Sequence, residues 1–189
     1  MSLSSSLTKA DLEMFARFGI GADVLDAAAV CRVTDHEARE DYGIRFAPDS
    51  DLSGLVFPYL HPLTGLRVSA RLRRDNPELD AAGKPIAKYL CPYGDNRHLY
   101  FPPGARELLR DTTVPAVFVE AEKSVLAVMA WAARKGIRVL AVGTGGCWGW
   151  RGKIGVEIGA GGEREEVRGA LSDLDLIGWR DESQDHNSI

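Results

Sequence analysis

The apolar, β-branched run Val114-Pro115-Ala116-Val117-Phe118-Val119 is followed by a helix-patterned stretch and then by a second apolar run, Ile137–Val142. This strand–helix–strand order leaves few ways to fold, because parallel strands need a crossover of about a dozen residues or more, usually a helix. From about Glu122 to Lys135 the chain carries Val125, Val128 and Met129 on one side. Gly136 follows, the residue type that most readily takes the left-handed conformation at a helix end. Both apolar runs read as strands buried on both faces, as in parallel sheets covered by helices. The expectation is an α/β unit (α+β for the chain as a whole) with a partly parallel sheet and flanking helices.

The N-terminal part reads differently. Thr8 and Asp11 stand at capping-box spacing, Leu12, Phe15 and Phe18 follow at three-residue steps, and Gly19 is placed to end that helix. A second helix through Ala22–Val30 and a third starting near Thr34 or Asp35 complete a small helical lobe, read as scaffold. Two β-patterned stretches come next, Leu55-Val56-Phe57 and Val68–Leu72, around the turn cluster His61-Pro62-Leu63-Thr64-Gly65. Period-two alternation puts Arg71 and Arg73 on one face of the second strand, with Ala70 and Leu72 on the other. Asp75–Pro85 reads as a polar loop, and Ala87–Leu90 and Leu99–Phe101 as short strands. With Pro102-Pro103-Gly104 as punctuation, the division is a helical lobe at 1–50, a β-rich basic segment at 51–103 and an α/β domain at 104–180. Within the last of these, Glu163–Leu171 reads as a helix, and 181–189 as a disordered polar tail.

Composition matters mainly through its distribution. Hydrophobic residues at 45% and charged residues at 26% are ordinary for a folded chain. No apolar run approaches a membrane span, and Met1–Ser6 lacks the pattern of a signal peptide, so a cytoplasmic location is expected. The net charge is −4, yet Arg67–Arg97 holds seven basic residues against four acidic ones. That local excess suits either a polyanion-binding strip or a solvated arginine-rich hairpin face. Cys31, Cys91 and Cys147 are too far apart for a zinc knuckle and odd in number for a disulfide framework, so they read as buried small apolar groups. His36, His61, His98 and His186 are scattered, which argues against a zinc or Ser-His-Asp site.

The chemistry gathers where the first buried strand ends. Ligands of open α/β sheets collect at the carboxyl ends of strands, and Glu120 is placed there, with Glu122 and Lys123 in the first helical turn. Two carboxylates at such an edge suit Mg²⁺, and a single glutamate suits general acid–base work in phosphoryl transfer. The plainer reading is that acidic residues favour the positive end of a helix dipole. The glycine-rich loop Gly143–Gly152 lacks the Walker A pattern, because Gly152-Lys153 is followed by Ile154. It leaves the amides of Gly145 and Gly146 for a phosphate, and Trp148 or Trp150 for stacking on a base or for closing the core.

Val117-Phe118-Val119-Glu120-Ala121-Glu122-Lys123-Ser124, with the helix and Val139-Leu140-Ala141-Val142-Gly143-Thr144-Gly145-Gly146 after it, resembles the opening of the Toprim domain of bacterial primases, topoisomerases and related nucleases. Upstream, Leu55-Val56-Phe57-Pro58, Gly65, Arg73 and Lys88-Tyr89-Leu90 match the order of the basic segment preceding Toprim in bacterial-type primases. The likeness extends over about Leu52–Asp175 and is strongest to phage- and plasmid-borne primase-like proteins. It implies Glu120 as acid or base, Glu122 as an auxiliary acid beside Mg²⁺, and Lys123 as a phosphate contact. Arg73 and Lys88, with Arg71 and Asn96 as further candidates, would bind template and nucleotide. Implied partners are single-stranded DNA, nucleotides and a replicative helicase. Two departures stand out. Ala121 replaces the family's glycine, and no buried strand ends in the Asp-x-Asp that carries the metal. Asp173-Leu174-Asp175 has the letters but reads as the approach to that strand, so the resemblance implies an incomplete catalytic domain. A non-catalytic single-strand-binding module and a replication-protein interaction module are the alternatives.

Overall fold

The computed structural model describes residues 6–146 and 149, and the backbone of the strands Gly152–Ile158 and Arg164–Gly169. Trp148, Trp150, Cys147, Asp173, Asp175 and the tail 181–189 lie outside the described residues. The chain forms two compact units that divide between Asp95 and Asn96, rather than after Pro103. It is a mixed α/β protein with antiparallel and parallel sheets. Among the described residues no helix is long and apolar enough to cross a membrane.

The first unit runs α1 (Lys9–Ala16), α2 (Ala22–Ala27), β1 (Cys31–Val33), α3 (Asp35–Glu40), β2 (Gly54–Leu60), β3 (Arg67–Arg74) and β4 (Tyr89–Leu90). Both Thr8–Asp11 and Thr34–Glu37 form reciprocal capping boxes, which satisfy backbone donors that a helix start leaves without partners. The strands make one antiparallel sheet in the order β1-β2-β3-β4. Residues 1–50 are therefore not a separate helical lobe. β1 pairs Cys31 with Val56 and Val33 with Gly54, and both of its alternate residues enter the core with Ile44, Leu52, Ala70 and Leu72. Three residues are too few for a period-two signal to emerge. Pro58 is tolerated within β2 because β1 pairs that strand only as far as Val56. On the opposite face Phe15 of α1 meets Phe57 edge-on, ring centroids 6.2 Å apart.

Across that face Arg32 ties three elements together. Its Nε and Nη2 donate to Asp11 at 2.6 and 2.9 Å, and Nη1 binds Asp75 at the end of β3. Burial works to raise the Asp11 carboxyl, but the hydrogen bonds from Arg32 and Thr8 outweigh it and hold the group below the usual carboxylate range.

The second unit runs α4 (Ala105–Leu109), β5 (Ala116–Val119), α5 (Glu122–Lys135), β6 (Leu140–Gly143), β7 (Gly152–Ile158) and β8 (Arg164–Gly169). β5 and β6 are parallel, in register from Ala116↔Leu140 to Val119↔Gly143, and α5 has the predicted limits. β6 begins at Leu140 rather than Ile137. Gly136 is left-handed (φ 64°) and the Ile137 N–H donates to Ala132 O at 3.0 Å, so a Schellman-type cap takes up the residues that would have started the strand. Tyr100 pairs with Gly143 through both backbone hydrogen bonds, at 2.8 and 2.9 Å, so the expected Leu99–Phe101 strand is a single bridge.

β6 is buried throughout, but β5 is not a strand buried on both faces: Val117 is exposed and Phe118 is 48% exposed. β6 has pairing partners on both sides, whereas β5 pairs only with β6 among the described residues. The Glu163–Leu171 helix is also corrected, since Arg164–Gly169 is β8, antiparallel to β7. Its charges suited a solvated helix, and nothing local reveals the long-range pairing that makes it a strand.

Candidate nucleic-acid interface and carboxylate edge

The basic side chains of β3 at 71, 73 and 74 separate by face. Arg71 and Arg73 are half-buried on one face while Ala70 and Leu72 fill the core on the other, as alternation predicts. The Arg71 guanidinium lies 4.8 Å from the Tyr89 ring centroid, and Tyr89 is the register partner of Arg73. Two guanidinium groups and an exposed tyrosine therefore share one face, a combination suited to phosphates and stacked bases. Tyr89 was not among the candidates. Its sequence signal is its place in the Lys88-Tyr89-Leu90 run, and its position beside Arg71 and Arg73 emerges from the β3–β4 register. Lys88 takes part through its backbone, its carbonyl accepting from the Arg74 N–H at 3.0 Å. Asn96 opens the second unit and is not part of this sheet.

Arg74, next in line, points the other way and is 0% exposed. Its Nη1 and Nη2 donate to the Glu78 carboxylate at 2.7 and 2.8 Å, its Nε donates to the Asp51 carbonyl at 3.0 Å, and it lies 5.0 Å from the Phe46 ring centroid. This bidentate ion pair fixes the start of the 75–85 loop. Arg74 first, then hydrogen bonds from Ser50 and the Glu78 backbone, hold the Glu78 carboxyl down to about 2.

In the second unit Glu120 follows the last residue of β5 and is exposed, while Glu122 opens α5 and is 2% exposed. Burial, and next the charge of Glu122, raise the phenol of buried Tyr100 far above its usual range. Ala121 is the helix N-cap at φ −123°, an extended conformation open to any residue, so a glycine is not required there. Glu122 sits in the first helical turn, where the dipole favours a carboxylate, and Lys123 beside it is half-buried.

The glycine loop folds back onto this edge. The Thr144 N–H donates to Val119 O and the Gly146 N–H to Glu120 O, both at 2.9 Å, and the Thr144 hydroxyl donates to Gly146 O at 2.8 Å. Gly145 and Gly146 reach this arrangement at φ 66° and 129°. The Gly146 amide is thus engaged by the backbone of Glu120 rather than offered to a phosphate. The loop fixes the backbone at Glu120.

Mg²⁺ takes oxygen ligands in near-octahedral geometry. One of the two carboxylates is exposed and the other is enclosed near Tyr100, and no group of three His, Cys, Asp or Glu suited to a metal occurs among the described residues. Glu120 and Glu122 alone do not fit a complete Mg²⁺ site.

No family model matches the chain, and no curated protein matches it. Among solved structures, the chain is similar to the zinc-binding and RNA polymerase domains of the Aquifex aeolicus primase, at 15% identity and a TM-score of 0.49. The match covers 72% of this chain and 36% of that one.

Proposed function

We propose that the chain is a primase-like nucleic-acid-binding module whose single-strand contact is the β3 face carrying Arg71, Arg73 and Tyr89. The observation that carries this reading is the Arg71–Tyr89 stack beside Arg73 on one sheet face, with the neighbouring residues of the strand committed to the core. Guanidinium groups bind phosphates, and tyrosine faces stack on bases with little sequence preference.

The test is fluorescence anisotropy with a labelled mixed-sequence 12-mer across a salt series. Arg71→Ala/Arg73→Ala is expected to weaken binding about tenfold or more at low salt and to reduce the log–log salt slope by about 1.4, at roughly 0.7 per phosphate contact. Equal affinity and equal slope for wild type and double variant would overturn the reading.

A second reading, Mg²⁺-dependent nucleotidyl transfer, rests on exposed Glu120 at the carboxyl end of a parallel strand, its backbone clamped by Gly146. It requires carboxylates beyond Glu120 and Glu122. On this reading Glu120→Gln abolishes Mg²⁺-dependent nucleotide incorporation on a single-stranded template and leaves 12-mer affinity unchanged. Retained incorporation would remove Glu120 as acid or base.

A further inference from the structure

β4 is two residues long and pairs with β3 only at Leu72 and Arg73, so among the described residues the Arg67–Ala70 half of β3 has no strand on that side. The chain instead crosses to the 41–46 segment, where Pro92 bridges Ile44 and the Tyr93 N–H donates to Gly43 O at 3.0 Å. Gly94, at φ 77°, turns it back, and the Ser69 hydroxyl binds the Asp95 carboxylate. What remains between these segments is a groove of about 360 Å³, lined by Tyr42, Arg67, Ser69, Tyr93 and Asp95. That volume lies within the range of small-ligand sites, roughly 300–1,000 Å³.

Two arginine–tyrosine pairs frame the groove. Arg67 lies 4.5 Å from the Tyr42 ring centroid and donates to Asp41 O at 2.9 Å, while Arg45 lies 5.6 Å from the centroid of Tyr93. Tyr93 is 74% exposed, although the backbone on either side of it is anchored. An aromatic ring held in solvent on a fixed loop presents a flat face for stacking. The guanidinium groups supply positive charge for phosphates, and the Asp95 carboxylate accepts hydrogen bonds, as from the exocyclic amino group of a base.

We propose that this groove is a base-binding subsite for single-stranded nucleic acid. Tyr93 is the stacking platform, Arg45 and Arg67 contact phosphates, and Asp95 accepts from a base's exocyclic amino group. The proposal rests on the nucleic-acid reading for the class of ligand, but not on Arg71, Arg73 or Mg²⁺.

The experiment measures anisotropy of labelled dC12 and dT12 at low salt, because cytosine carries an exocyclic amino group and thymine does not. Wild type is expected to prefer dC12. Tyr93→Ala should weaken both oligonucleotides roughly fivefold or more, the scale of one lost stack. Asp95→Ala should bring the dC12:dT12 ratio to about one, while Ser69→Ala, which removes the serine partner and keeps the carboxylate, should preserve the preference. Wild-type affinity for both oligonucleotides in Tyr93→Ala and Arg67→Ala overturns the groove, and if Arg71→Ala/Arg73→Ala still loses affinity the sheet-face reading stands. Tyr93-dependent binding of an oligoglutamate with indifference to both oligonucleotides overturns the choice of ligand. No binding of either oligonucleotide by wild type overturns both proposals.

Discussion

Arg74→Ala is expected to lower the unfolding free energy by about 3–4 kcal/mol, the scale of emptying a large buried side chain. The lost contacts are specific. Glu78 loses a bidentate partner, the Asp51 carbonyl loses a donor, and Phe46 loses the guanidinium beside its ring. Arg74→Met should recover more than half of the loss, because it refills the volume and removes the cost of burying a charge. Urea unfolding of the three proteins checks both statements, and an Arg74→Ala change under about 1 kcal/mol would contradict the buried geometry. The same pair sets an acid response. Glu78 is depressed from an ordinary 4.5 to about 2, so its contribution is present above pH 4.5 and is lost as pH falls toward about 2. The wild type should lose stability through that window, and Arg74→Met should show a flatter profile.

Gly54→Ala should rival that effect. A Cβ built at Gly54 lies 2.2 Å from the Arg73 carbonyl oxygen and 3.1 Å from the Arg74 Cα. The obstacle is backbone, so no rotamer relieves it, and β2 and β3 must separate where Gly54 is paired with Arg74. Overpacking of this kind commonly costs 1–3 kcal/mol, and a clash with the main chain belongs at the upper end, about 3 kcal/mol. Displacing the Arg73 backbone should also weaken single-strand binding. Gly65→Ala is the control. Its φ is 71° with nothing within 4 Å of the added carbon, so only the left-handed backbone cost applies, about 1 kcal/mol. Thermal unfolding that places the two variants together would refute the Gly54↔Arg74 register.

The parts legible in the sequence were those with local causes. The limits of α5 follow from Gly136 and the apolar face beginning at Val125, and the Thr8–Asp11 capping box follows from threonine–acid spacing. The hairpin follows from the His61–Gly65 cluster, and the shared face of Arg71 and Arg73 from period two. What stayed hidden depends on contacts distant in sequence. The three residues of β1 declare themselves only through pairing with β2. Arg73 and Arg74 are identical in type, and sheet parity alone makes one a candidate ligand contact and the other a core residue. Tyr89 acquires its place from strand register, and the Gly146 amide from a fold that brings it to Glu120. The groove beside Ser69 exists because β4 stops after two residues.

The clamp of Gly146 on Glu120 has a consequence for when the acid edge assembles. Residues 119 and 120 are tied to residues 144 and 146, so closure waits for α5 and β6 to bring the loop home, at the entropic cost of closing that loop. Loop and acid then form a single mechanical piece, because a rearrangement that draws Gly146 away releases the main chain beneath Glu120. Amide hydrogen exchange at Gly146 therefore reports on the seating of the carboxylate from a position that bears no carboxylate itself.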